Sequence, residues 1–154
     1  MKKRRYPVIA FLVIFGFCSH AAFGADTLEQ LVLGNHVLTL QWLQSQKGLG
    51  KAKIFKKDGK MRIEGYQEDH YQGHLNYMTM DGTIKVISSR ELAFEGKIVT
   101  RINYINDGLP HERNGKFLLK AWGERKYWRM QKMTQPDKEY TVTDYIDIHF
   151  EKYR

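Results

Sequence analysis

His70-Tyr71-Gln72-Gly73-His74, preceded by Glu68 and Asp69, is the place where metal-ligating side chains crowd most closely in this sequence. On a helix the i,i+4 spacing would set both imidazoles on one face, as zinc sites do. Gly73 and the strand-like pattern around it argue against a helix, and without one the spacing loses its geometry. Closed zinc sites also need three or four ligands. The segment reads as a surface hairpin loop, with no metal or cofactor expected. Asp144 and Asp147 are the nearest thing to an acid/base pair. Three apart in a strand, they point to opposite faces, and Asp144 reads as a cap at the strand start. His149 shares a strand face with Asp147 and reads as its exposed partner. Beyond residue 24 the chain has no cysteine, and Ser45, Ser88 and Ser89 lie in no G-x-S-x-G elbow. No glycine loop is built to cradle phosphate. The chain therefore reads as non-catalytic.

Two other groups of residues could bind rather than react. Trp42, Trp122 and Trp128 and eight tyrosines beyond residue 24 are a large aromatic share, suited to places where an apolar body must also offer a polar tip. Trp42, Tyr66, Tyr104, Trp122, Trp128 and Arg129 form the candidate set for a small apolar or amphipathic ligand. The plainer assignment has them filling a core or bracing a sheet. Tyr127, Trp128 and Arg129 are adjacent, so they split between two faces and form no single platform. Lys51, Lys53, Lys56, Lys57 and Lys60 make the one concentration of like charge. They read either as a solvated edge hairpin whose lysines discourage edge pairing, or as a surface drawn to an anionic membrane or protein partner.

The first residues read as an address. Lys2, Lys3, Arg4 and Arg5 precede an apolar run from Val8 to Phe17, and Ala22-Phe23-Gly24 supplies a small-residue cleavage pattern before Ala25. The run is about half the roughly 20 residues of a spanning helix. Residues 1–24 are thus expected to be a secretory signal, and 25–154 a single domain with no transmembrane segment, periplasmic or secreted. Cys18 lacks the small neighbour of a lipobox. The whole chain has 25 Lys+Arg against 17 Asp+Glu, but four of the basic residues lie in the signal, so the net charge falls from +8 to +4. The remaining charges mostly alternate in sign, which excludes the one-sided basic face of a nucleic-acid binder. An aromatic content of 13% excludes a disordered chain, and one cysteine excludes a disulfide scaffold.

These residues must be positioned mostly by strands. One short helix is expected first, capped by Asp26 with Glu29 three residues on and ended by Gly34. Strands follow over His36–Leu43, Ala52–Lys56, Met61–Tyr66, His74–Met80, Thr83–Ser89, Leu92–Phe94, Lys97–Ile105, Lys116–Trp122, Lys126–Lys132 and Tyr140–Phe150. Turns are expected at Lys47-Gly48, Asp58-Gly59, Asp81-Gly82, Glu95-Gly96, Asn106–Pro110, Gly123-Glu124 and Gln135–Asp137, with Asp-Gly the strongest hairpin signal. Alternation puts Leu38, Leu40 and Trp42 on one face, and likewise Trp128 with Met130, and Ile146 with Ile148 and Phe150. Which face meets water is open at this point. Short strands at this spacing indicate an all-β sandwich or barrel. An antiparallel up-and-down meander of eight or nine strands would leave two edges exposed, and closure into a barrel removes them. The last strand is long enough to pair back onto the first. Two stacked sheets are the alternative.

A short helix, then Gly34 opening the first strand of one up-and-down barrel in an exported chain of this size, resembles the lipocalin-like (calycin) layout. At the place of the lipocalin Gly-x-Trp this chain has Gly34-Asn35-His36, and Arg125 or Arg129 stands where lipocalins set an arginine over that tryptophan. The resemblance implies a small ligand held in a barrel, without catalysis. A barrel of about eight strands is just filled by its side chains or holds one small ligand. A filled interior favours binding through the exterior, a hollow one a carried ligand.

Overall fold

The computed structural model describes residues 22–43, 49–136 and 141–150. Residues 1–21 of the expected 1–24 signal and the Lys47-Gly48 turn lie outside them. A helix, α1 (Ala22–Val32), precedes ten strands. Eight close into an antiparallel barrel: β1 (Gly34–Leu40), β2 (Gly50–Lys57), β3 (Lys60–Tyr71), β4 (His74–Ser88), β5 (Glu91–Arg101), β6 (His111–Lys120), β7 (Tyr127–Met130) and β10 (Ile146–His149). Around the ring the order is β1-β10-β7-β6-β5-β4-β3-β2. The remaining two, β8 (Thr134–Pro136) and β9 (Thr141–Thr143), form a separate two-stranded ribbon. No helix among the described residues is long and apolar enough to cross a membrane.

Closure is made by the predicted partners. Leu38, Thr39 and Leu40 stand opposite Ile148, Asp147 and Ile146, so the end of the chain pairs back onto its first strand. The expected alternation decides what faces inward: Leu38, Leu40, Ile54, Ile63, Met78, Met80, Ile98, Leu119, Met130, Ile146 and Ile148 are all essentially fully buried. Side chains thus fill the barrel's midsection. Each buried aliphatic of this size contributes about 1.5 to 3 kcal/mol relative to exposure.

Several local expectations are corrected. The helix α1 begins at Ala22, four residues before the expected start at Asp26, so Asp26 lies inside it rather than at its first turn. Asp58-Gly59 is the predicted tight turn, with both residues at positive φ and Lys57 opposite Lys60. Asp81-Gly82 and Glu95-Gly96 are not turns. They sit inside β4 and β5, which merge four expected strands into two, and the turn between them falls at Ser89-Arg90. The reason is packing: Gly82 and Gly96 are register partners, and the Phe94 ring occupies the space where their side chains would stand. A Cβ on Gly96 would come 2.2 Å from the Asp81 carbonyl oxygen and 2.6 Å from the Gly82 Cα. Glycine here permits close backbone approach inside a strand rather than a reversal. The last predicted strand is split, with Asp144 and Tyr145 separating β9 from β10.

The two ends of the barrel differ in chemistry. At one end β1 begins and α1 packs, with Val32 buried and Glu29 paired to Lys56 at 2.7 Å. His36 is fully buried there, its Nε2 2.7 Å from the Val32 carbonyl oxygen and its Nδ1 2.8 Å from that of His149. Trp128 lies against the His36 and Phe150 rings, at 5.8 and 4.4 Å between centroids. At the other end, where β1 finishes and β4 and β6 begin, buried polar groups replace the hydrocarbon.

Candidate ligand site at the polar end of the barrel

Gln67, Asp69, Asn76, Thr100 and Asp144 are all buried at this end. Each strand residue among them stands on the parity that elsewhere carries Ile63, Met78 or Ile98, so the pleat aims it inward. Gln67 holds the chain leaving β1: its Oε1 accepts the Leu40 N–H at 2.7 Å and its Nε2 donates to the Leu43 carbonyl at 3.2 Å. That clamp places Trp42, whose indole N–H donates to Asp144 Oδ1 at 2.9 Å. Arg113, from β6, donates through Nη2 to Asp144 Oδ2 at 2.9 Å.

Burial dominates the electrostatics. It pushes the Asp144 carboxyl above its ordinary range, against the opposing pull of Arg113 and the Trp42 hydrogen bond. It lowers the Arg113 guanidinium, with Asp144 resisting, and it lowers His111, helped by the charge of Arg113. Among the described residues, the Thr100 hydroxyl and the Nε and Nη1 of Arg113 are buried without a hydrogen-bond partner. Thr100 stands opposite His111 on the neighbouring strand. Unsatisfied interior groups of this kind are rare enough to mark a site.

At the same end of the barrel lies a half-enclosed recess of about 610 Å³. Trp42 contributes one wall, and the end of the β3–β4 hairpin another through Asp69, His70, Tyr71 and Gln72. Asn76 and the chain after β5, Asn103 and Tyr104, complete it. Asn76 and Asn103 brace each other: Asn76 Nδ2 donates to Asn103 Oδ1 at 3.2 Å, and the Asn103 N–H donates to Asn76 Oδ1 at 2.8 Å. Tyr71 and Tyr104 meet edge to face, 6.2 Å apart at 75°. Asp69 Oδ1 accepts the His70 N–H at 2.8 Å. Burial raises the Tyr104 phenol, with Tyr71 and Asp69 adding to it.

Of the six predicted ligand residues, the recess gathers Trp42 and Tyr104. Trp128 is at the opposite end, buried against His36 and Phe150 with its N–H on the Ser89 carbonyl at 3.2 Å. Tyr66, Trp122 and Arg129 are on the outside. Tyr66 is half exposed and bonded to Glu68, which raises its phenol to about 12. Trp122 is exposed, with Lys120 over its ring and its N–H on Gln131 at 3.4 Å. Arg129 makes two 2.7 Å bonds to Asp147 and lies over the Tyr145 ring at 4.3 Å. His149 therefore bonds Thr39, at 3.1 Å, while Asp147 is taken by Arg129. Asp144 and Asp147 do face opposite sides, but Asp144 is an interior ion-pair partner rather than an exposed cap. His70 and His74 flank the Gln72-Gly73 turn on paired strands, both exposed, in the hairpin expected there.

Lys51, Lys53, Lys56, Lys57 and Lys60 are all exposed on β2 and the start of β3. Glu64 stands directly opposite Lys53, and Glu29 pairs with Lys56, so the face is of mixed charge. Asp69, Asn76, Thr100, Arg113 and Asn103 were missed as site residues. For the strand residues the signal was available: a polar side chain on the apolar parity, close to a strand end.

A family model described as the PM1083 family matches residues 20–150. The "Uncharacterized protein PM1083" of Pasteurella multocida (strain Pm70) is 33% identical over 160 residues, an alignment covering 97% of this chain and 100% of that relative. No solved structure matches the chain. Since both matches run through the whole barrel, this chain belongs to the PM1083 family.

Proposed function

We propose that this protein is an exported, non-catalytic β-barrel module that binds a small amphipathic ligand in the recess at its polar end. The observation carrying this is the recess itself, about 610 Å³, where exposed aromatic faces meet buried polar groups. Ligand pockets commonly span about 300 to 1,000 Å³ with mostly apolar walls and a few fixed polar groups. The filled midsection moves the ligand from the lumen, where a lipocalin-like layout would hold it, to the open end. Export rests on the basic and apolar pattern of residues 2–17 and the Ala22-Phe23-Gly24 cleavage pattern. Cleavage after Gly24 leaves the part of α1 that carries Glu29 and Val32.

The purified protein titrated with a panel of lipids and small amphiphiles of both charges should change its tryptophan fluorescence with at least one of them, and a Trp42→Phe variant should lose most of that change. Silence across a broad panel would remove the reading. A filled interior and five exposed lysines support a second reading, attraction of the outer face to an anionic membrane. In that case vesicles containing anionic lipid should retain the protein at low salt, and charge reversal at Lys53, Lys56 and Lys57 should release it.

A further inference from the structure

We propose that the ligand of this recess is an organic cation, an ammonium group on a small apolar body; this rests on the recess being the binding site. Asp69 is 7% exposed, lines the recess and carries no ion pair among the described residues. Among the described residues its carboxylate accepts from the adjacent His70 N–H at 2.8 Å, a bond that does not neutralise a charge. A buried carboxylate without a counter-charge is costly, and a ligand that supplies the positive charge offsets that cost.

The walls have the same sign preference. Tyr71 and Tyr104 are 49% and 56% exposed and meet at 75°, forming a corner of two ring faces beside the carboxylate. Trp42 adds a third ring, held in place by its bond to Asp144. The negative face of an aromatic ring attracts a cation within about 6 Å of its centroid, and several rings around one quaternary ammonium are a recurrent solution. No lysine or arginine lines the recess among the described residues. The nearby Arg101 is committed to the Gly108 and Leu75 carbonyls, at 2.9 and 3.0 Å. An anionic headgroup entering here would meet Asp69 with nothing to balance it. Fatty acids are therefore the wrong sign for this site.

Choline and 3,3-dimethylbutan-1-ol share a shape and differ in charge, so they isolate the claim. Calorimetry and tryptophan fluorescence on the unmodified protein should show choline binding at least about tenfold more tightly than the neutral alcohol. Asp69→Asn and Tyr104→Leu, each checked for native circular dichroism, should each weaken choline by a similar factor. Equal affinity for the two compounds overturns the cation while leaving the recess as a site. So does preferential binding of decanoate, or a folded Asp69→Asn variant that binds choline unchanged. Should neither variant fold, the pair of compounds on the unmodified protein still decides. A protein that answers to none of these compounds, nor to the wider panel above, loses the recess as a site altogether.

Discussion

Asp144 and Arg113 show how a single interior pair ties fold stability to pH. Burial holds the folded Asp144 carboxyl above its unfolded value of 3.8. Its contribution to stability is therefore complete below that value and is lost as pH rises through the raised folded one. Arg113 limits the loss by supplying the counter-charge. Replacing it in Arg113→Met leaves the buried carboxylate without this counter-charge, and at neutral pH this should cost about 3 to 5 kcal/mol. Acidification should shrink the deficit, because a protonated Asp144 no longer needs the partner. Urea denaturation at pH 7 and at pH 4.5 measures both halves of that statement. A deficit of equal size at the two pH values would show that the loss comes from packing of the arginine stem instead.

At the scale of elements, the long β4 and β5 strands approach closely at a pair of glycines. Gly82 and Gly96 bring two backbones together with the Phe94 ring laid over them, so the strands pass without interruption where turn chemistry was expected. Gly96→Ala should therefore destabilise the fold by about 1 to 3 kcal/mol, since the added methyl meets backbone atoms that cannot rotate away. Thermal or urea unfolding checks it, and a variant as stable as the parent would show that the strands have room to separate. Hairpins with positive φ at both turn residues were legible in sequence at Asp58-Gly59 because only the local backbone matters there. Gly82 could not be told from a turn glycine, because what distinguishes it lies fourteen residues away, on the partner strand.

The molecule as a whole is a ring sealed between its first and last strands, and His36 sits on that seal. Its two ring nitrogens face the carbonyls of Val32, at the end of α1, and His149, at the end of β10. His36→Leu keeps the apolar volume against Trp128 but leaves both carbonyls without this partner. The expected loss is about 1 to 3 kcal/mol, with faster amide exchange in β1 and β10 than in β4. Hydrogen exchange resolved by strand measures it, and protection lost evenly over the barrel would show that His36 does not act at the seal.

The sequence by itself determined the strand content, which residues share a strand face, the Asp58-Gly59 hairpin and the return of the last strand onto the first. These follow from period-two alternation and from local turn conformations, both of which are written within a few neighbouring residues. Burial decided which face is inward. Only the tertiary structure decided where the aromatics went. Trp42 and Trp128 share a residue type, yet closure sets them at opposite ends, one at a polar recess and one against His36 and Phe150. The ring brings Trp42, from the chain after β1, to Asp69, Asn76, Asn103 and Tyr104, which belong to the consecutive β3, β4 and β5 segment. Their meeting depends on register and shear around a closed sheet, which no local pattern records.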